Sequence, residues 1–352
     1  MTKHTVESVK WASFDKWEGP VIYGNKPYQL PAMPTWSQKV MWIVAATEGN
    51  LDSVNMYDRA ICSVGVIQWT ELTSCNVSNM LGLVAERAPH ALGELSEAMD
   101  RSAVKFAQTP AGLWRFRRGS EWLDTPEKLR GMYLAGSGLR GFWSREQKAH
   151  ASSWCAGIAN VFTHEDAQLA QVDFTAERLQ SFGLPPAVRE LWDGTMPSNS
   201  GIQGVARAVF LSYAINLPTL ASKLVVSFRS SAPKWSMPWL TDFLRHMVFG
   251  SNVSIWPARY DRIRPRLESL FAVNLPDFAD DLRGNDADGL GSPSALQQAL
   301  VTLGFDPGPV DGVWGKQTVA AVREYQRSRG LEVDGHIGPI TRSRLRADLS
   351  RR

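Results

Sequence analysis

Hydrophobic side chains recur at helical spacing through most of this chain. Val40, Met41, Val44 and Ala45 share one side of a helix, Thr35 or Ser37 can cap its start, and Gly49-Asn50 can stop it in the left-handed conformation. Glu48 is then the last residue of that helix. Amphipathic stretches follow from Asn79 to Glu86, Ala91 to Ala107, Pro126 to Tyr133, Arg145 to Val161 and Glu165 to Ser181, punctuated by Gly and Pro. Gly201 to Val225 reads as a strongly apolar helix that meets Pro218, and Met237 to Phe249 and Tyr260 to Phe271 continue the pattern. Strand-like alternation is confined to the Tyr57 to Trp69 region. Pro20, Pro27, Pro31 and Pro34 interrupt regular structure in residues 1–34, which are expected to form an arm on the domain that follows. The distribution predicts an α+β fold, mainly helical, with a small β-hairpin region beside a helical body.

Between Asp277 and Pro293 the composition changes to DFADDLRGNDADGLGSP, rich in Asp and Gly and poor in large apolar residues, which is linker chemistry. Beyond it the chain repeats itself. A helix carrying Leu-Gln or Tyr-Gln precedes a Gly-hydrophobic pair and then DGVWGKQT at Asp311 or DGHIGPIT at Asp334. In each copy Asp-Gly makes a tight turn, the second Gly permits another, and the closing Thr lies where the next helix begins. Three short helices are expected. The domain organisation is an arm at 1–34, a larger domain at 35–276, a linker at 277–293 and a small three-helix domain at 294–352.

The 352 residues leave room for two domains with a sizeable core in one of them. Charged residues at 21% and hydrophobic ones at 44% describe an ordinary folded protein. The net charge of +3 is unevenly placed, since the chain from Ser292 onward holds nine Lys/Arg against six Asp/Glu. That excess suits an anionic surface such as a cell wall or lipopolysaccharide, and equally a solvated basic face. Three cysteines without a CxxC argue against a disulfide scaffold and for synthesis in a reducing cytoplasm. The N-terminus has no apolar signal-peptide core, and no apolar run is long enough to span a membrane. A monomer with no membrane insertion, no nucleic-acid partner and no cofactor is expected.

The chemistry centres on Glu48. A carboxylate at the negative end of a helix, beside apolar side chains, has its ionised form disfavoured on both counts, which suits a proton donor near neutral pH. After a polar segment, Glu48 is followed by Ser63-Val64-Gly65-Val66-Ile67-Gln68. This pattern resembles the lysozyme superfamily, especially goose-type lysozymes and soluble lytic transglycosylases, in which a helix-terminal glutamate precedes a Gly-hydrophobic-hydrophobic-Gln segment lining the sugar cleft. Gly49 stands where the transglycosylase pattern has serine. The resemblance implies Glu48 as general acid, with Ser63, Gly65 and Gln68 at the cleft and the two polar side chains bonding an acetamido group or the attacking water. Asp58, ten residues beyond Glu48, is close to the glutamate-aspartate offset of phage-type lysozymes and is the first choice for a second carboxylate. Asp52 and Glu71 are the other choices. Ser212-Tyr213-Ala214-Ile215-Asn216 resembles the Tyr-Asn motif of lytic transglycosylases, which implies Tyr213 and Asn216 as substrate contacts.

Residues 294–345 closely resemble the peptidoglycan-binding module found at the ends of many bacterial and phage cell-wall enzymes, and the resemblance implies Trp314, Tyr325 and Asp334 as contacts to muropeptide. Both resemblances name bacterial peptidoglycan. The expected activity is a muramidase cutting the β-1,4 bond between N-acetylmuramic acid and N-acetylglucosamine, acting in the periplasm or cell wall. Lytic transglycosylation of the same bond is the nearest alternative. A phage endolysin released through holin pores is the expected role, an antibacterial effector of a contractile secretion machine the second. A zinc amidase needs clustered donors, whereas His4, His90, His150, His164, His246 and His336 are scattered without HxH or HExxH. Cys155 with His150 or His164 is the only nearby thiol-imidazole combination for a cysteine amidase. A non-catalytic wall-binding protein is the alternative of a different class; it leaves Glu48 and GVIQW unexplained.

Overall fold

The computed structural model describes residues 3–57, 60–72, 75–180, 201–215, 217–250, 255–278, 290, 293–311, 316–331, 333, 335, 337 and 339–351. The chain divides into two compact units, 1–183 and 184–352, and this division falls inside the 35–276 span. The described residues are mainly helical with two small antiparallel sheets.

In the first unit, β1 (Lys10–Phe14), β2 (Trp17–Ile22), β3 (Val54–Asn55), β4 (Ser63–Val64) and β5 (Trp69–Thr70) form a five-stranded meander in chain order. The N-terminal segment is therefore not an irregular arm. Asp15, at φ 54°, turns β1 directly into β2, and Lys10 through Phe14 pair with Val21 through Trp17. Sequence patterning missed this hairpin because a sheet is stabilised by partners distant in sequence: β2 finds its second neighbour more than 30 residues on, at Val21↔Asn55 and Ile22↔Val54. Gly19 is required where β2 crosses β3, since a Cβ there would fall on the Met56 carbonyl.

The helical body comprises α1 (Trp36–Val44), α2 (Asn76–Arg87), α3 (Ser96–Arg101), α4 (Pro126–Leu134), α5 (Arg145–Val161) and α6 (Glu165–Gln180). Helix α5 starts with a reciprocal cap between Ser144 and Gln147, and every residue from Ala151 to Val161 is buried. A helix covered on all sides is the centre of its domain, and α5 packs against β2, β3, α3 and α4. The expected helix from Ala91 to Ala107 is instead a 3-10 segment at Pro89–Leu95, then α3, then a strand. Ala91, Leu95 and Ala98 do share a buried face, but Ala103 adopts φ 53° and ends the helical run. Beyond it β6 (Lys105–Gln108) pairs with β7 (Trp114–Arg118), which pairs with β8 (Glu121–Trp122). Strands are thus not confined to the 57–69 region.

In the second unit, α7 (Gly201–Ala214) and α8 (Pro218–Ser227) replace the single helix expected to Val225. Pro218, with no N–H to donate, takes the first turn of a new helix. Helices α9 (Met237–Phe249) and α10 (Ile255–Phe271) pack with α7. The C-terminal module is three helices, α11 (Pro293–Thr302), α12 (Lys316–Ser328) and α13 (Pro339–Leu349), around a core that includes Leu300, Val322, Tyr325 and Leu345. Its sequence repeat has a structural counterpart. Gln297 donates to Thr318 Oγ1 at 3.3 Å and Gln326 donates to Thr341 Oγ1 at 3.2 Å, all four residues being buried. Each copy thus ties a helical glutamine to the threonine that closes the following Asp-Gly turn motif. Buried amides are tolerated only when bonded in this way.

Candidate active site

Helix α1 is opened by a reciprocal cap between Thr35 and Gln38, and it buries Val40, Met41, Ile43 and Val44 completely. Regular helix ends at Val44, four residues before the expected stop, and the chain continues in tight turns. The Glu48 N–H still donates to the Val44 carbonyl at 3.1 Å, so Glu48 extends the helical winding and sits half-buried just past the C-terminus. The Thr47 hydroxyl lies 3.5 Å from Glu48 Oε1.

The segment from Gly65 to Gln68 forms the turn between β4 and β5. Gly65 has φ 83°, and a Cβ on it would collide with the Gln171 side chain. Gln68, itself at φ 53°, directs its carboxamide back across the turn, donating to the Gly65 carbonyl and to Ser53 Oγ, each at 2.9 Å. Ser53 donates in turn to the Asn50 carbonyl at 2.8 Å. A Cβ on Gly49 would lie 2.5 Å from Ser53 Oγ and 3.4 Å from Gln68 Nε2. The residue following Glu48 therefore abuts the glutamine of the GVIQ turn, and only glycine leaves room. The structure thus brings Gly49, the neighbour of Glu48, against Gln68, which is itself bonded to Gly65.

Two residues that hold this arrangement do not stand out in the sequence. Ser53 bridges the Glu48 loop and the turn. Gln171, fully buried on α6, donates to the Leu51 carbonyl at 2.9 Å and accepts from Val66 N–H at 3.3 Å, so it pins both segments. Ser53 lies in a loop and leaves no periodic trace, and for Gln171 a polar residue on a helical face is the only one, which many glutamines show without such a role. Ser63 lies within β4, opposite Asn55 and Thr70, and its side chain is buried.

The carboxylates differ in their surroundings. Asp58 lies outside the described residues. Asp52 is buried and accepts from the backbone N–H groups of Asn25 and Lys26 and from His4 Nε2 at 2.9 Å. Burial opposes its ionisation, but these bonds together outweigh that and hold its carboxyl below the usual carboxylate range. Asp52 is thus a clamp between the N-terminal segment and the Glu48 loop. Glu71 follows β5 directly and is fully buried. It accepts from Ser78 N–H at 2.9 Å and from the Ser78 hydroxyl, at the N-terminal turn of α2. Burial pushes its carboxyl up to about 7, against the pull of Ser78 and the nearby Arg115.

Tyr213 and Tyr325 are core residues of the second unit. Tyr213, in the second unit, is fully buried, stacked on Trp256 at 4.3 Å, and its hydroxyl donates to the Trp256 carbonyl. Tyr325 is fully buried in the C-terminal module, its hydroxyl donating to Asp348 at 3.0 Å. Asn216, Trp314 and Asp334 lie outside the described residues. Cys155 is fully buried and its thiol is pushed up by burial. His150 Nε2 is bonded to the Met132 carbonyl and His164 Nε2 to Glu94. Among the described residues no three His, Cys, Asp or Glu side chains are grouped to hold a metal ion.

Comparison with known proteins defines a class for one end of the chain. Residues 292–345 match the family model described as "Putative peptidoglycan binding domain", which makes the C-terminal three-helix module a cell-wall-binding module. The chain is also 46% identical over 50 residues to a spore cortex-lytic enzyme of Halalkalibacterium halodurans, covering 14% of this chain and 15% of that protein. It is 44% identical over 64 residues to the N-acetylmuramoyl-L-alanine amidase CwlM of Mycobacterium tuberculosis, covering 18% of this chain and 14% of that one. A third relative, an uncharacterized protein in the bpoA1 3' region of Kitasatospora aureofaciens, is 33% identical over 75 residues, which span 59% of its length. The chain thus spans only a small fraction of the length of the cortex-lytic enzyme and of the amidase. No solved structure matches it.

Proposed function

We propose that the chain is a peptidoglycan-degrading glycosidase, a muramidase in which Glu48 protonates the leaving oxygen of the β-1,4 bond between N-acetylmuramic acid and N-acetylglucosamine. The observation that carries this reading is the approach of Gln68 and Ser53 to the residue following Glu48, in a chain that also bears a wall-binding module. A half-buried carboxylate whose neighbour in the chain lies against a fixed amide offers the two elements such a site needs, a proton donor and a group to orient sugar or water. The names of the spore cortex-lytic enzyme and the muramoyl amidase support the polymer as the target, without bearing on which bond is cut. Asp58 is assigned as the second carboxylate on its offset from Glu48, and a phage endolysin is the role this assignment suits.

One observation favours a second reading, lytic transglycosylation. Asp52 and Glu71 are both sealed into structural hydrogen bonds, so if Asp58 does not serve, Glu48 acts alone among these carboxylates. A one-carboxylate mechanism lets the muramic acid hydroxyl replace water. Digestion of purified sacculi followed by mass spectrometry separates the two readings. Hydrolysis leaves reducing muramic acid ends; transglycosylation leaves anhydro ends lighter by one water. Glu48→Gln is expected to lower the rate by about 100-fold or more. Products with intact glycan strands and cleaved stem peptides, or a Glu48→Gln enzyme of near-normal rate, overturn the proposal. If reducing ends appear, Asp58→Asn is expected to cripple the enzyme too.

A further inference from the structure

The tip of the β1–β2 hairpin and the loop from Gly138 to Phe142 form a small platform that the candidate active site does not use. The two segments are zipped together by their backbones. Glu18 N–H donates to the Gly138 carbonyl at 2.8 Å, Trp17 bridges to Leu139, and Arg140 N–H donates to the Lys16 carbonyl at 2.9 Å. Phe14 pairs with Trp17 across the hairpin, and Phe142 N–H donates to the Leu139 carbonyl. Phe14, Trp17, Leu139 and Phe142 are therefore successive neighbours. Phe14 is 67% exposed, Phe142 74% and Leu139 43%, although apolar rings are normally withdrawn from water.

The surroundings are cationic. Lys16 and Arg140 are exposed and adjacent, Lys16 Nζ lies 5.4 Å from the Trp17 ring, and the Arg130 guanidinium lies 4.3 Å from the same ring. Of the two acidic side chains here, Glu18 accepts from Gly141 N–H at 3.0 Å and Asp15 makes the hairpin turn. The positive φ values of Asp15, Gly138 and Gly141 set the turns that present the rings. The platform lies at the Trp17 end of β2. The Ile22 end leads to Tyr23 and Gly24, whose carbonyls are held by Asn50 beside the candidate active site, roughly 20 Å away along the strand.

We propose that this platform docks on the surface of an anionic phospholipid bilayer, with Phe14, Leu139 and Phe142 entering the headgroup boundary and Lys16 and Arg140 meeting lipid phosphates. Exposed apolar rings beside lysine and arginine are the composition of interfacial anchors. A sugar-stacking surface fits less well, because the exposed rings carry no hydroxyl or N–H, and the Trp17 ring is flanked by the Lys16 and Arg130 cations. A second copy of the chain would bring Lys16 and Arg140 against their own kind. Docking of this sort needs no spanning segment, and among the described residues no helix is long and apolar enough to cross a membrane.

Flotation of the full chain with vesicles of phosphatidylcholine and phosphatidylglycerol in a 3:1 ratio, against phosphatidylcholine alone, tests the proposal. Binding to the anionic vesicles is expected. Phe14→Ser/Phe142→Ser is expected to weaken it about tenfold or more, and Lys16→Gln/Arg140→Gln about fivefold or more. All four positions are exposed, so each double variant should melt like the parent, and melting curves check this. No flotation, equal flotation with neutral vesicles, or unchanged binding by Phe14→Ser/Phe142→Ser overturns the proposal. Unchanged binding by that variant would assign the lipid affinity to the basic C-terminal module. Without flotation, pelleting with sacculi that depends on Phe14 and Phe142 would identify a glycan surface, and self-association that depends on them a dimer contact; either result overturns it.

Discussion

Substituting Glu71 by glutamine should stabilise the protein at pH 8 and leave it unchanged near pH 4. The folded environment holds the Glu71 carboxyl at about 7, against an ordinary value of 4.5, chiefly because no solvent reaches it. Below pH 4.5 the group is protonated in both folded and unfolded chains and contributes no pH-dependent term. Between 4.5 and 7 the unfolded chain releases the proton while the folded chain keeps it, so stability falls as pH rises. Above 7 both states are ionised and the full penalty is present. At about 1.4 kcal/mol per pKa unit, the penalty comes to roughly 3 kcal/mol. Glutamine keeps a carbonyl to accept from Ser78 N–H and an amide to donate to the Ser78 hydroxyl, so it removes the charge without abandoning the partners. For a folding unit of this size the gain at pH 8 corresponds to about 6–12 °C in Tm. Scanning calorimetry of parent and variant from pH 4 to pH 8 measures it. An equal shift at both ends of the range, or destabilisation by Glu71→Gln at pH 8, would refute the argument that the buried carboxylate is ionised at a cost.

Three further outcomes are expected. Gly49→Ala drives a methyl into Ser53 Oγ and towards the Gln68 amide, so it should cost about 1–3 kcal/mol in denaturant unfolding and reduce sacculus digestion more than Ser53→Ala does. Asp52→Asn should destabilise by about 1–3 kcal/mol at pH 7. Because the folded Asp52 carboxyl is held below its ordinary 3.8, that stabilisation is present above 3.8 and is lost as pH falls through the folded value, so the two unfolding curves should converge in acid. Gln326→Ala leaves Thr341 Oγ1 and the Gly335 N–H without their buried partner, so about 1–3 kcal/mol should be lost from the C-terminal module and less protein should pellet with sacculi at 37 °C.

Signals confined to a few neighbouring residues are legible in the chain itself. Ser144 with Gln147 marks the start of α5, and the apolar period carries it to Val161. The doubled Gln and Asp-Gly-x-x-Gly-x-x-Thr pattern announces the C-terminal module, and each glutamine proves to hold the threonine of its own copy. The GVIQ segment can be aligned with Glu48 because both lie within a single short stretch. Pairing across distance is not legible in this way. The β1–β2 hairpin depends on β3 and on the Leu139 loop, and nothing within residues 10–22 states that those partners exist.

The same limit applies to the chemistry of the acidic side chains. In sequence Asp52 and Glu71 stand behind Asp58, the first choice by its offset from Glu48, as candidates for a second carboxylate. Tertiary structure closes Asp52 with His4, Asn25 and Lys26, and seals Glu71 beneath the first turn of α2. It likewise stacks Tyr213 on Trp256 in a core and recruits Gln171 from α6 to join two loops. The sequence by itself determined the helices with strong caps and the architecture of the C-terminal module, because those rest on backbone preferences and spacings within a turn or two. Only the fold decided which polar groups are withdrawn from water and which remain available to a substrate, because desolvation and hydrogen-bond partners belong to the packed whole.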